Sequence, residues 1–540
     1  MTQHNVQILD LPDEILLLVL KKLDNIDVLY SLLGINNHRL DVIVQEKIVT
    51  DVLSFVSISN LTEEISPISA LALNRFRNGI LPKIHKNVKS FIVESDSFEC
   101  ILGAATYPNL TQLKIFNLNK AFVSFHVISW VRYSNDSPLQ HIGKQQITDL
   151  ILISNESNNE IEKIEYTKNV YATIFNFFTN LKHLSIVQSS IHDYPPLLLH
   201  NLSPITFSSS TLTKLCININ DFDDCLALLD GRLKDLTILT VQISSIHDFA
   251  STSHNMNDLP GLKSFSLICY DSTEGYANLV TPLLRRMSNL EELNLYIHIL
   301  YGPIFVSGAD LHNEILIHTS RLRTFTFYIA SETIITDSTI RISESNIEKT
   351  FENGKYQHVI CMVDYFDSNT LICRAFTLPF NFHRLEHIGN NIPNIIFISV
   401  TYLKLCDANP FKHEFFVRLA KAFPFLKSLS IDNLCPPFLK AKEPYHRDKD
   451  WCSLVQYPYL ISLDVHHAAV NYVEHFLSER EIYLPRLTEL KVFYEDLTIV
   501  THNFTRDETR RNCAQVKKLI IEHCTFYPEA LCAYFPLLSY

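Results

Sequence analysis

His413 and the adjacent Glu414 begin the way a zinc-protease helix begins, with a metal ligand and a general base one residue apart. Such a helix needs a second histidine one turn later to face the same ion, and Val417 stands there. His466 and His467 are neighbours, but adjacent strand residues point to opposite faces and do not readily chelate one ion; His466 is expected at the surface and His467 partly buried. The 11 glycines form neither G-x-G-x-x-G nor G-x-x-x-x-G-K, so no loop offers its backbone N–H groups to a phosphate. A G-x-S-x-G nucleophile turn is missing as well. The 12 cysteines contain no C-x-x-C pair, and Cys216, Cys269, Cys406 and Cys524 sit in apolar strand-like runs, as small buried thiols do. These residues predict no catalytic group, no metal site and no cofactor, so function is expected to lie in binding.

The elements that would carry binding residues recur along the chain. Asn109-Leu110-Thr111-Gln112-Leu113-Lys114-Ile115, Asn180-Leu181-Lys182-His183-Leu184-Ser185-Ile186 and Thr211-Leu212-Thr213-Lys214-Leu215-Cys216-Ile217 share the form L-x-x-L-x-Φ, where Φ is apolar. With the central Leu or Phe as marker, further copies stand at 239, 265, 293 and 325, and again at 403, 429, 463, 490 and 519. Successive markers from 215 to 325 are separated by 24, 26, 28 and 32 residues. That spacing allows one short strand and one covering helix per copy, and a single copy cannot bury its own apolar face. Helices are predicted over 222–233, 277–287, 411–423 and 470–477, between strand copies.

The amino-terminal stretch is of another kind. Asp10 is placed to cap a helix whose first turn holds Pro12, Asp13 and Glu14, where the missing proline N–H costs nothing and carboxylates oppose the positive end of the helix dipole. Ile15, Leu16, Val19, Leu20 and Leu23 then fall on one broad face. A second helix carries Val28, Leu29, Leu32 and Leu33 and ends at Gly34; a third starts at Asn36 or Asn37. Fewer than about 50 residues cannot hide that many apolar side chains, so a partner surface is expected.

The run Leu11-Pro12-Asp13-Glu14-Ile15-Leu16, with Val19-Leu20, Leu23, Asp27-Val28-Leu29 and Leu32, resembles the F-box, the module that docks substrate receptors onto the Skp–cullin ubiquitin ligase. The resemblance covers residues 6–50, and residues 34–40 depart from the family's third-helix pattern. It implies contacts to a Skp-type adaptor through Leu11, Pro12, Ile15, Leu16, Val19, Leu20, Leu23, Val28, Leu29 and Leu32. The remainder is similar to the leucine-rich repeats that follow the F-box in many animal receptors. The implied α/β architecture is a three-helix F-box at 6–50, a junction with a degenerate first repeat at 51–95, and an irregular leucine-rich-repeat solenoid at 96–540 with an insertion near 330–400. Parallel strands would line its concave face and helices its convex face. The residues one and three places after a strand marker would face the concave side, which makes Phe116, Tyr296, Tyr328, Asp432, Asp464, His466, Lys491 and Phe493 the candidates for holding a protein target. The implied function is a non-enzymatic substrate receptor whose partner subunits transfer ubiquitin; the alternative is a repeat scaffold acting outside ubiquitination.

Composition fits a soluble protein of the cytoplasm or nucleus. Lys and Arg number 46 against 58 Asp and Glu, a net of −12, with no basic run of five or more, which argues against a nucleic-acid partner. No charged leader precedes an apolar segment, and no stretch of about 18 apolar residues is present, so neither secretion nor a membrane span is predicted.

Overall fold

The computed structural model describes residues 8–58, 65–117, 145–154, 172–188, 197–199, 202–203, 207–247, 257–335, 342–352, 358–365, 370–436, 454–521 and 529–538. Cys524 and most of the polar segments 131–163 and 436–452 lie outside these residues. The architecture is mixed α/β, dominated by a large parallel sheet that does not close into a barrel.

That sheet begins with β1 (Val52–Ser54). A small antiparallel pair, β2 (Val56–Ile58) and β3 (Ile65–Pro67), stands apart from it. The sheet continues through β4 (Ser90–Glu94), β5 (Gln112–Phe116), β6 (Asp149–Ser154), β7 (His183–Gln188) and β8 (Lys214–Ile219). It then runs through β9 (Ile238–Ile243), β10 (Ser264–Thr273), β11 (Glu292–Leu300) and β12 (Thr324–Ile334). Each of these strands pairs in parallel with the next, and the markers meet one another or an equivalent residue, Leu53, Phe91 or Leu150, that lies outside the marker series read from sequence. Leu53, Phe91, Leu113, Leu150, Leu184, Leu215, Leu239, Phe265, Leu293 and Phe325 form one unbroken buried row. A slip of one residue in any strand would turn its marker to the opposite face, so the row pins the register. The segments between strands cover the row, as Phe222–Leu228 does behind an Asp221 capping box. That helix stops short of 233 because Leu229 leaves helical geometry and Gly231 takes φ +101°.

The region near 330–400 ends one sheet and opens another. An antiparallel pair, β13 (Val359–Tyr365) and β14 (Thr370–Thr377), adds to β12 in the order β12-β14-β13. A second parallel sheet follows: β15 (Arg384–Ile388), β16 (Tyr402–Cys406), β17 (Ser428–Asn433), β19 (Ser462–Ala468), β21 (Glu489–Lys491) and β22 (Lys518–Ile520). Its markers Leu403, Leu429, Leu463, Leu490 and Leu519, joined by Leu385, which the sequence spacing does not single out, repeat the in-register row. Beside it, β18 (Val455–Gln456) pairs with β20 (Ile482–Tyr483). Helices His413–Ala422 and Val470–Leu477 bury Phe415, Phe416, Leu419, Tyr472, Val473 and Phe476 beneath this sheet.

Four short helices precede β1: α1 (Asp13–Leu20), α2 (Asn25–Leu32), α3 (His38–Val44) and α4 (Lys47–Thr50). Asp10 lies in a short 3-10 turn and does not cap α1; Pro12 occupies the cap position. Asp24 caps α2, accepting from Ile26 N at 2.8 Å and Asp27 N at 3.2 Å, and Asn37 caps α3 through Leu40 N. Gly34, at φ +84°, makes the reversal between α2 and α3 that a side chain would strain. Leu16, Leu20, Val28, Leu29, Ile43 and Val44 share one continuous hydrophobic core with the strands of the first sheet.

Candidate functional site

Helix α1 presents two apolar strips. Leu16 and Leu20, one turn apart, turn into the chain's own core, and Leu29 and Val28 of α2 meet them there. These four residues are therefore corrections to the docking set: they are sealed by the same chain. Helical periodicity identifies the apolar face correctly, yet the best-formed strip is the one the fold uses for itself. The neighbouring strip stays outside. Ile15 is 42% exposed, Leu18 61% and Val19 36%, at i, i+3 and i+4, and Leu23 beyond the helix end is 55% exposed. Pro12 is exposed, and Leu11 and Leu32 are half-buried. Leu18 is absent from the docking residues read from sequence because it neighbours Lys21 and Lys22 on the helix wheel.

Arg39 of α3 anchors the start of α1. Its Nε donates to Asp13 Oδ1 at 2.7 Å, Nη1 to Leu9 O at 2.6 Å and Nη2 to Leu11 O at 2.5 Å. One planar guanidinium therefore holds the 3-10 turn before α1 and the first turn of α1 together. Below, Asn25 Nδ2 donates to Val52 O of β1, while Arg75 Nη2 donates to Leu33 O and Asn87 Nδ2 to Gln45 O, tying the helices to β1 and to the segment 75–87 that follows it.

The concave-face candidates divide. Phe116, Tyr296, Tyr328 and His466 are buried, which corrects their assignment to an open target surface. Tyr296 and Tyr328 project from the face of β11 and β12 opposite the marker row, and the second core is built upon them, with Phe382 5.3 Å from Tyr296 and Phe380 6.1 Å from Tyr328 between ring centroids. Burial raises the Tyr296 and Tyr328 hydroxyls above the ordinary range and pushes Tyr270 up to about 12. His466 is inside because a bulge shifts the pairing: Ser430 opposes Asp464, but Asp432 opposes His467. His467 is the exposed ring, and His466 packs 3.8 Å from the centroid of Phe493.

Asp432, Asp464, Lys491 and Phe493 remain accessible, each half-buried. Lys404, Ser430, Asp464 and Lys491 stand opposite one another on β16, β17, β19 and β21, a row one place beyond the markers. Lys404 Nζ lies 3.8 Å from Asp432 and Lys491 Nζ 3.7 Å from Asp464, two ion pairs whose charges run plus, minus, minus, plus across the four strands. Exposed pairs of this kind contribute at most about 1 kcal/mol to stability, leaving their charges available to a partner. The corresponding row of the first sheet contains Ser185, Ser266 and Thr326, which are buried, and carries little charge.

No protein-family model matches the chain, and no curated protein is significantly similar to it.

Two further groups of polar side chains have defined geometry. Buried Arg374 of β14 bonds Asp364 of β13 through Nη1 and the His387 carbonyl through Nη2, linking the end of the first sheet to β15. His413, His475 and Glu481 converge beside the second sheet: His475 Nδ1 is 2.6 Å and His413 Nδ1 3.7 Å from Glu481 Oε2. The bond from His475 holds the Glu481 carboxyl below its usual range. Among the described residues this trio is the group able to hold a metal ion. No described helix is long and apolar enough to cross a membrane.

Proposed function

We propose that the chain is an F-box-type substrate receptor: its four front helices dock on a Skp-type adaptor, and the charged face of the second sheet holds a protein target. The supporting observation is the outer strip of α1. Ile15, Leu18, Val19 and Leu23 stay in solvent although the same helices share a core with the sheet behind them. Four exposed apolar side chains so close together suit a buried interface, where a few anchors commonly carry about 2 kcal/mol or more each. In this reading the chain performs no catalysis and works in the cytoplasm or nucleus, with a cullin ligase supplying ubiquitin transfer. The recurring strands form the leucine-rich-repeat solenoid of such receptors, and Asp432, Asp464, Lys491 and Phe493 are the target contacts that remain from the sequence reading.

The test is co-purification of adaptor and cullin with Ile15→Asp, Val19→Asp and Leu23→Asp variants. Each is expected to lose adaptor recovery about tenfold or more with unchanged circular dichroism. Equal recovery in all three would remove the docking assignment.

A second reading has its own support. Helix α2 lies against β1, the edge strand of the first sheet, so the front helices also cover an otherwise open apolar end. A scaffold outside ubiquitination would need this covering and nothing more. It predicts that the three variants leave every partner bound.

A further inference from the structure

We propose that His413, His475 and Glu481 bind one divalent transition-metal ion of the zinc class, which clips together three segments around the second sheet. The proposal is independent of the docking reading.

The ligands come from distant places in the chain. His413 opens helix His413–Ala422, His475 lies in the last turn of helix Val470–Leu477, and Glu481 sits immediately before β20. Sequence spacing hides them, since the histidine missing at 417 is replaced in space by one 62 residues after His413. One ligand atom from each of the three groups can be chosen so that all lie within 4.8 Å of one another.

The distances suit a small tetrahedral ion. Zinc bonded to nitrogen and oxygen at about 2.0–2.1 Å sets its ligand atoms about 3.3 Å apart. The Nδ1-to-Oε2 separations of 2.6 and 3.7 Å bracket that edge, so small side-chain rotations bring both rings to bonding distance. The imidazoles are nearly perpendicular, at 89° with centroids 5.2 Å apart, and so approach one centre from different directions. Two imidazoles and one carboxylate select zinc, cobalt or nickel over calcium and magnesium, which require oxygen ligands.

Burial is graded as a metal clip requires. The His413 and His475 side chains are 10% and 13% exposed, while Glu481 is 49% exposed. The rings are thus fixed by packing, Phe416 lying 5.3 Å from His475, and the carboxylate side is open for a water as fourth ligand.

The test uses the full chain, stripped with a chelator and titrated with zinc alone at neutral pH. One equivalent is expected to bind and raise the melting temperature, and His475→Gln and Glu481→Gln are each expected to weaken zinc more than about tenfold. Unaltered stoichiometric binding in both variants, or a wild-type chain with no bound zinc and no thermal shift, overturns the proposal. Cobalt loading of the wild-type chain gives a readout that needs no variant. Four-coordinate visible absorption without a thiolate charge-transfer band supports the trio, whereas such a band, or only the weak absorption of a six-coordinate ion, refutes it.

Discussion

Tyr296 and Tyr328 stand opposite one another on β11 and β12 with ring centroids 4.4 Å apart and planes at 18°, and both are buried. The residues on either side of each, Leu295 with Ile297 and Phe327 with Ile329, enter the first core, while the tyrosines enter the second. These two strands are therefore covered on both faces, and the stacked rings form the floor on which the second sheet is laid.

Tyr328→Ala is accordingly expected to act on stability. Truncating a buried aromatic costs about 3–5 kcal/mol, and here the cavity opens against Phe376 and Phe380. Urea unfolding should show the loss, and hydrogen exchange should show it first in β15 and β16. If the variant keeps its stability and loses only target binding, the floor assignment is wrong.

Arg374 ties the same junction. Arg374→Met removes the partner of a buried carboxylate and the donor to the His387 carbonyl, a change worth about 3–5 kcal/mol. Adding Asp364→Leu to it removes the stranded acid and should recover part of that loss. A double variant less stable than Arg374→Met would show that the pair matters through packing, not charge.

His387 makes the junction sensitive to acid. Burial, then the nearby charges of His298, Lys404 and Arg374, lower it from 6.5 to about 4, while Glu332 acts in the opposite sense. Because the folded value is the lower one, the unfolded chain binds the extra proton between those limits. Stability is full above pH 6.5 and falls as pH drops towards 4, by about 3 kcal/mol at most. His387→Asn keeps the left-handed backbone that asparagine tolerates, at φ +53°, and should flatten that limb of the stability curve. A wild-type curve already flat between pH 6.5 and 4 would contradict the assignment.

The parallel strands were legible because one residue type at one place repeats: Leu184, Leu215, Leu239 and their successors must face inward, and the structure sets them opposite one another. Which face of a strand stays open was less legible. Alternation fails at Ile115-Phe116, Leu295-Tyr296-Ile297 and Phe327-Tyr328-Ile329, and that unbroken apolarity is the signal of burial on both sides. The bulge that hides His466 and exposes His467 leaves no composition signature, and the His413–His475–Glu481 trio depends on packing between distant segments.

The front helices supply the last prediction, which separates their two faces. Leu29→Ala and Leu16→Ala open cavities in a core that runs without interruption from α1 and α2 into β1 and β4, so each should cost about 2–5 kcal/mol. Because that core is shared, the loss should appear in the amide exchange of Leu53 and Phe91 and not in the helices alone. Leu18→Ser and Leu23→Ser, on the exposed strip, should stay within about 0.5 kcal/mol of the parent chain. Exposed apolar side chains that add nothing to folding are free to meet a partner, the role proposed for this strip. If Leu18→Ser or Leu23→Ser proves as destabilising as Leu29→Ala, the strip belongs to the chain's own core, and the case for an adaptor loses its foundation.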